Sequence, residues 1–120
     1  MKPHELRRLQ QIAAMKRDLE LGKLEKLSAH LNRLKARAGG IQRARDERMA
    51  DLSLDLSRLS GADVLWNRLG EQQIARVRSE EARLRYEREI LMRRARRAYG
   101  KAAAIDDLAG KLAEKPKYGE

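Results

Sequence analysis

The apolar residues of this chain recur at helical rather than strand spacing from end to end. Leu24, Leu27, Leu31, Leu34, Ala38 and Ile41 follow one another at intervals of 3, 4, 3, 4 and 3. That alternation keeps a single stripe turned toward a partner helix. Ahead of it, Leu6, Leu9, Ile12, Ala13, Met15 and Leu19 continue the apolar face toward Pro3, a residue tolerated in a first helical turn. After Ile41 the stripe resumes at Met49, Leu52, Leu56 and Leu59, which reads as a small phase slip. The second half carries its own series in Val77, Leu84, Leu91, Ala98, Ile105 and Leu112, one every seven residues. Ile74, Ala95, Ala102 and Ala109 complete it, while Glu81 and Arg88 interrupt it.

Between the two series lies Ser60-Gly61-Ala62-Asp63. Gly61 can take the left-handed conformation that ends a helix, and Ser60 with Asp63 approximates an N-terminal capping box. This break sits at the middle of the chain, so two arms of similar length can fold back on each other. The expected architecture is all-α, a long antiparallel two-helix coiled-coil hairpin with its turn near residues 59–63. It forms one domain over residues 1–114, with a helix over 3–58, the turn, a second helix over 64–113 and a frayed tail over 115–120 that includes Pro116 and Gly119. Gly39-Gly40 falls inside the first stripe, costs about 1 kcal/mol of helix propensity per glycine, and reads as a bend or as simple tolerance. Gly100, after Tyr99, reads as a slight kink or a close approach.

Composition fits that picture. The 120 residues include no Phe, one Trp and three Tyr, and 38% are charged, so a thick core has nothing to fill it. A narrow seam buries little, and a partner or second copy is expected to complete it. Cysteine is absent, which excludes disulfides and thiolate metal sites. Two separated histidines, His4 and His30, do not make a zinc site, and no cofactor is expected. No phosphate loop, nucleophile elbow or metal-spaced cluster is present, and a two-helix rod supplies no enclosed pocket, so the chain reads as a non-enzyme. The pairs Glu80/Glu81 and Asp106/Asp107 point about 100° apart and read as solvated surface acids. No apolar run long enough for a signal or a membrane span appears, which suggests a cytoplasmic protein.

The formal charge of +10 is spread over both halves and suits nucleic acid, an anionic surface or an acidic protein. Its densest stretch is Arg83, Arg85, Arg88, Arg93, Arg94, Arg96 and Arg97, with Glu80, Glu81, Glu87 and Glu89 interleaved. Those acids, and the lack of a stacking series of aromatics, argue against nucleic acid and for a solvated face or an acidic protein partner. Arg93, Arg94, Arg96 and Arg97, with Trp66, Tyr86 and Tyr99, are the candidate partner-binding residues. Trp66, just past the turn, reads as a plug for the loop or as an exposed anchor.

The Leu6-Arg7-Arg8-Leu9 opening, the Ser60-Gly61-Ala62-Asp63 turn followed by Trp66, and the Arg93 to Leu112 segment resemble the FliJ and YscO group of type III secretion proteins. The resemblance extends over essentially the whole chain. It implies a stalk-like hairpin that inserts among the subunits of the hexameric flagellar or injectisome export ATPase, contacts the cytoplasmic domain of the export gate, and assists protein export. Export chaperones are further implied partners, and the implied location is the cytoplasmic face of the inner membrane, reached through those partners. By position along the rod, surface residues between Gln42 and Asp51 and between Glu71 and Tyr86 become gate-contact candidates. A basic nucleic-acid-binding coiled coil and a generic scaffold dimer stay open beside it.

Overall fold

The computed structural model describes residues 2–51 and 56–114. All elements among them are α-helical: α1 (Pro3–Ala50), α2 (Leu56–Ser60) and α3 (Ala62–Glu114). The fold is the all-α helical hairpin that the 3-4 spacing predicts. The chain groups into two units, one bringing Met1–Leu27 together with Glu87–Glu120, the other formed by Ser28–Tyr86. Each unit is an antiparallel pairing of α1 with α3.

In the first unit, Gln10 Nε2 donates to Asp106 Oδ1 at 3.1 Å. Seven residues further along α1, the Arg17 guanidinium lies over the Tyr99 ring, 5.6 Å from its centre and seven residues back along α3. One heptad forward on one helix is thus one heptad backward on the other, which fixes both direction and register. The facing positions of α1 here are Leu6, Gln10, Ala13, Arg17, Glu20, Leu24 and Leu27, buried or half-buried and again at 3-4 spacing. On α3 they are Arg88, Leu91, Ala95, Ala98, Ala102, Ile105, Ala109 and Leu112.

In the second unit the facing positions are Leu31, Leu34, Ala38, Ile41, Arg45 and Arg48 on α1. On α3 they are Asp63, Asn67, Gly70, Ile74, Val77, Glu81 and Leu84. Leu31, only 1% exposed, is its best buried side chain. The spacing continues through Arg45 and Arg48, so the phase slip expected after Ile41 is not there. Met49, read as the resumed stripe, is 70% exposed, and Leu59 is equally exposed. Leu52 and the side chain of Leu56 lie outside the described residues. Glu81 and Arg88 likewise hold facing positions rather than interrupting the series; Glu81 is buried, with Oε2 3.3 Å from Arg85 one turn on.

The reversal occurs between α1 and α3 in this second unit. α1 ends at Ala50, earlier than the expected 58, and α2 is a separate short helix. Gly61 adopts φ +79°, the left-handed conformation anticipated for it, and its carbonyl accepts from the Val64 and Leu65 amides at the start of α3. Arg58 ties the corner together. Its guanidinium donates to the Arg48 carbonyl in the last turn of α1 at 2.8 Å and to the Asp51 carbonyl just beyond it. Asp63 lies between two guanidinium groups, 3.0 Å from Arg48 Nε and 3.4 Å from Arg58 Nε. A carboxylate in the first turn of α3 is also favoured by the helix dipole.

The glycines resolve differently from one another. α1 runs through Gly39-Gly40 without a break, so tolerance is the outcome there. A Cβ on Gly100 would meet open space, and α3 passes through it as continuous helix, so the glycine serves no close approach in this fold. Gly70 is the exception. A Cβ there would lie 3.0 Å from Arg45 Cδ and 3.6 Å from Arg45 Cγ, because the aliphatic stem of Arg45 lies flat across the α3 backbone. Its head reaches on to Glu71 Oε1 at 3.1 Å.

Candidate functional site

A two-stranded coiled coil needs apolar side chains only at the two facing positions of each heptad. The first unit has more than that. Beside the facing row of α1 runs a second apolar row, Leu9, Ile12 and Leu19, on the outer flank. Ile12 is 45% exposed and Leu19 is 59% exposed, so neither row-mate is used up by α3. Together with Ala13 from α1 and Ala98 and Ile105 from α3, these residues form the floor of an open groove of about 530 Å³ along the helix pair. The small side chain of Ala98 keeps the α3 side of the groove low.

The walls of the groove are cationic. Lys16 from α1 and Arg94, Arg97 and Lys101 from α3 line it, against one acid, Glu20. Glu20 is held by its own helix, with Oε1 3.6 Å from Lys23 Nζ, while its Oε2 is buried without a hydrogen-bond partner. None of the four cations has a carboxylate within ion-pair distance among the described residues.

This separates the arginine-rich stretch into two parts of different character. In the second unit Arg83 pairs with Glu80 and Arg85 with Glu81. The Arg83 hydrogen bond holds the Glu80 carboxyl below its ordinary pKa, with the positive charges of Arg83 and His30 acting the same way. In the first unit Arg94 and Arg97 have no carboxylate within ion-pair distance among the described residues. Arg93 and Arg96, predicted alongside them, are exposed but do not line the groove.

Of the aromatic candidates, Tyr99 is in the first unit, half-exposed, and carries Arg17 over its ring. Tyr86 is well exposed in the second unit. Trp66, also in the second unit, is 41% exposed, with Val64, Leu65 and Leu69 of the same helix exposed as well. Of the seven predicted residues, the groove of the first unit is lined by Arg94 and Arg97. The groove residues that sequence reasoning missed as a site are Leu9, Ile12, Leu19, Lys16, Lys101 and Ile105. The available signal was that Ile12 and Leu19 do not fit the 3-4 series fixed by Leu24 to Ala38, and so belong to a different face.

Among the described residues, no group of three or more His, Asp or Glu side chains is placed to hold a metal ion. No helix among them is long and apolar enough to cross a membrane. No family model, curated protein or solved structure matches the chain.

Proposed function

We propose that this chain is a non-enzymatic interaction protein, the stalk-like subunit of a flagellar or type III secretion export ATPase that links the ATPase ring to the export gate. The sequence resemblance supplies the machine. One observation supports the mode of action: the groove of the first unit, whose apolar floor is exposed and whose cations have no carboxylate within ion-pair distance among the described residues. Burying Leu9, Ile12 and Leu19 against a partner stabilises a complex by about 25 cal/mol per Å² of apolar surface removed from water. Desolvated arginines at its edge discriminate in favour of acidic partners. On this reading the protein works in the cytoplasm, peripheral to the inner membrane through its partners.

The test is an affinity capture of the tagged protein from its own cells at moderate salt with nuclease present. Recovery of a hexameric ATPase or an export-gate component is the expected result. Absence of both, together with unchanged motility and secretion on deletion, overturns the proposal. The charge of +10 favours a second reading, a nucleic-acid-binding coiled coil. Duplex DNA binding that is strong at low salt and falls steeply with added salt would support it, and no binding at low salt would remove it.

A further inference from the structure

We propose that the groove of the first unit is the seat of a third helix, an amphipathic helix with acidic flanks supplied by a partner protein. The inference deepens the protein-binding reading above but does not depend on which machine the chain serves.

Geometry selects a helix. The exposed apolar residues Leu9, Ile12 and Leu19 follow a helical repeat on α1, and Ala98 and Ile105 are one heptad apart on α3. Two helices packed about 8–10 Å apart leave between them a furrow into which the side-chain ridge of a third helix settles. The span from Leu9 to Leu19 corresponds to roughly 15 Å of helix, about three turns, at 1.5 Å per residue. An incoming helix of that length carries apolar anchors at i, i+3, i+4 and i+7, the pattern that meets such a floor.

Charge selects the flanks. An occupant lying on the floor places its flanking positions against Lys16 on one wall and Arg94, Arg97 and Lys101 on the other. Carboxylates there would be the first ion-pair partners of these four cations among the described residues. A second copy of this chain presents the same cationic walls, so self-association through the groove sets like charges together at close range. Nucleic acid fits the walls but not the floor, which offers leucine and isoleucine where stacking needs rings.

The probes are fluorescein-labelled synthetic helical peptides of about 20 residues, read by fluorescence anisotropy against the full chain. One has a leucine stripe flanked by glutamates, a second has the same stripe flanked by lysines, and a third has the glutamates without the stripe. Saturable binding of the first below about 100 µM, with the other two at least about tenfold weaker, is the expected result. I12E should weaken it at least about tenfold, while circular dichroism shows the helix content unchanged, because Ile12 is already half-exposed. R94E/R97E should reverse the preference toward the lysine-flanked peptide. R76E/R78E makes the same charge change on exposed positions of the second unit and should leave binding as it is.

Equal binding of the acidic and basic peptides, equal loss in R76E/R78E, or no binding overturns the proposal. So does a dimer in sedimentation that I12E dissociates, or duplex DNA binding that I12E abolishes. If the peptide fails while the ATPase is still captured by wild type and I12E alike, the third-helix proposal falls and the export reading stands. If the peptide binds as expected and no export component is captured, the reverse holds.

Discussion

Replacing a helical glycine with alanine normally stabilises the helix by about 1 kcal/mol, because the glycine chain has more freedom to lose on folding. Gly100→Ala meets that condition, since a Cβ there contacts nothing within 4 Å. The gain should raise the melting temperature by roughly 4 °C for a chain of this size. Gly70→Ala should not gain it. Its Cβ would lie 3.0 Å from Arg45 Cδ, tighter than a carbon pair at its preferred 3.5–4.0 Å. Cδ is mid-stem, so Arg45 must give by a few tenths of an ångström. That motion strains the 3.1 Å contact of Arg45 Nη2 with Glu71 and disturbs the stem that covers the backbone. Weakening an exposed ion pair and part of the stem's burial costs about 1 kcal/mol. The net change for Gly70→Ala is then close to zero. In an Arg45→Ala background the obstacle is gone, and Gly70→Ala should recover the full gain of about 1 kcal/mol. Urea unfolding of the four proteins in this double-mutant cycle measures the coupling directly. If Gly70→Ala stabilises the wild-type chain as much as Gly100→Ala does, the argument that Arg45 is seated on Gly70 is refuted.

Three other perturbations test the hairpin itself. Glu81→Leu replaces a buried carboxylate at a facing position with an apolar side chain and should stabilise by about 1 kcal/mol or more in urea unfolding. Gly61→Ala puts a Cβ on a residue with φ +79° and should destabilise by about 1 kcal/mol, visible as a lower thermal midpoint. Asp63→Asn keeps the shape but removes the charge between Arg48 and Arg58, and should cost about 1–2 kcal/mol at low salt and measurably less at 1 M salt.

The all-α hairpin was legible because leucine spacing and a central glycine turn both pointed to it. The facing rows were only partly legible, and the errors share a cause. A search for apolar residues alone passes over Gln10, Arg17, Glu20, Arg45 and Arg48, all of which occupy facing positions on α1. Arginine can do so because its methylene stem packs against the partner helix while the guanidinium reaches a carboxylate beyond it, as Arg45 does with Glu71 and Arg48 with Asp63. Once Arg45 and Arg48 are skipped, the next apolar residue is Met49, and including it demands a phase slip. At the other end apolar character alone places Ile12, Met15 and Leu19 in the stripe, although Gln10, Arg17 and Glu20 hold its facing positions. The early end of α1 at Ala50 was invisible because the sequence offers no glycine or proline there; the Arg48 carbonyl in its last turn accepts from Arg58, from a different element. The residues of the tail, 115–120, and the expected helix over 52–55 lie outside the described residues.

The candidate site was the least legible feature, since it depends on the register between two helices and not on either alone. Arg94 and Arg97 were singled out with Arg93 and Arg96 as one cluster, yet only the first two face the groove. The distinction follows from the heptad: Arg94 and Arg97 flank the facing residues Ala95 and Ala98 on the side that Leu9 and Ile12 share. On that side the chain leaves isoleucine and leucine in water next to cations that have no carboxylate partner among the described residues, a combination that neither hairpin stability nor solubility requires. A hairpin stabilised only by its facing rows would tolerate glutamate or lysine at 12 and 19, and exposed helix surface usually carries such residues. Ile12→Glu and Leu19→Glu should therefore leave the thermal midpoint within about 2 °C of wild type. A fall much larger than that would mean these side chains are part of the core, and the groove would lose its floor as a surface for another protein.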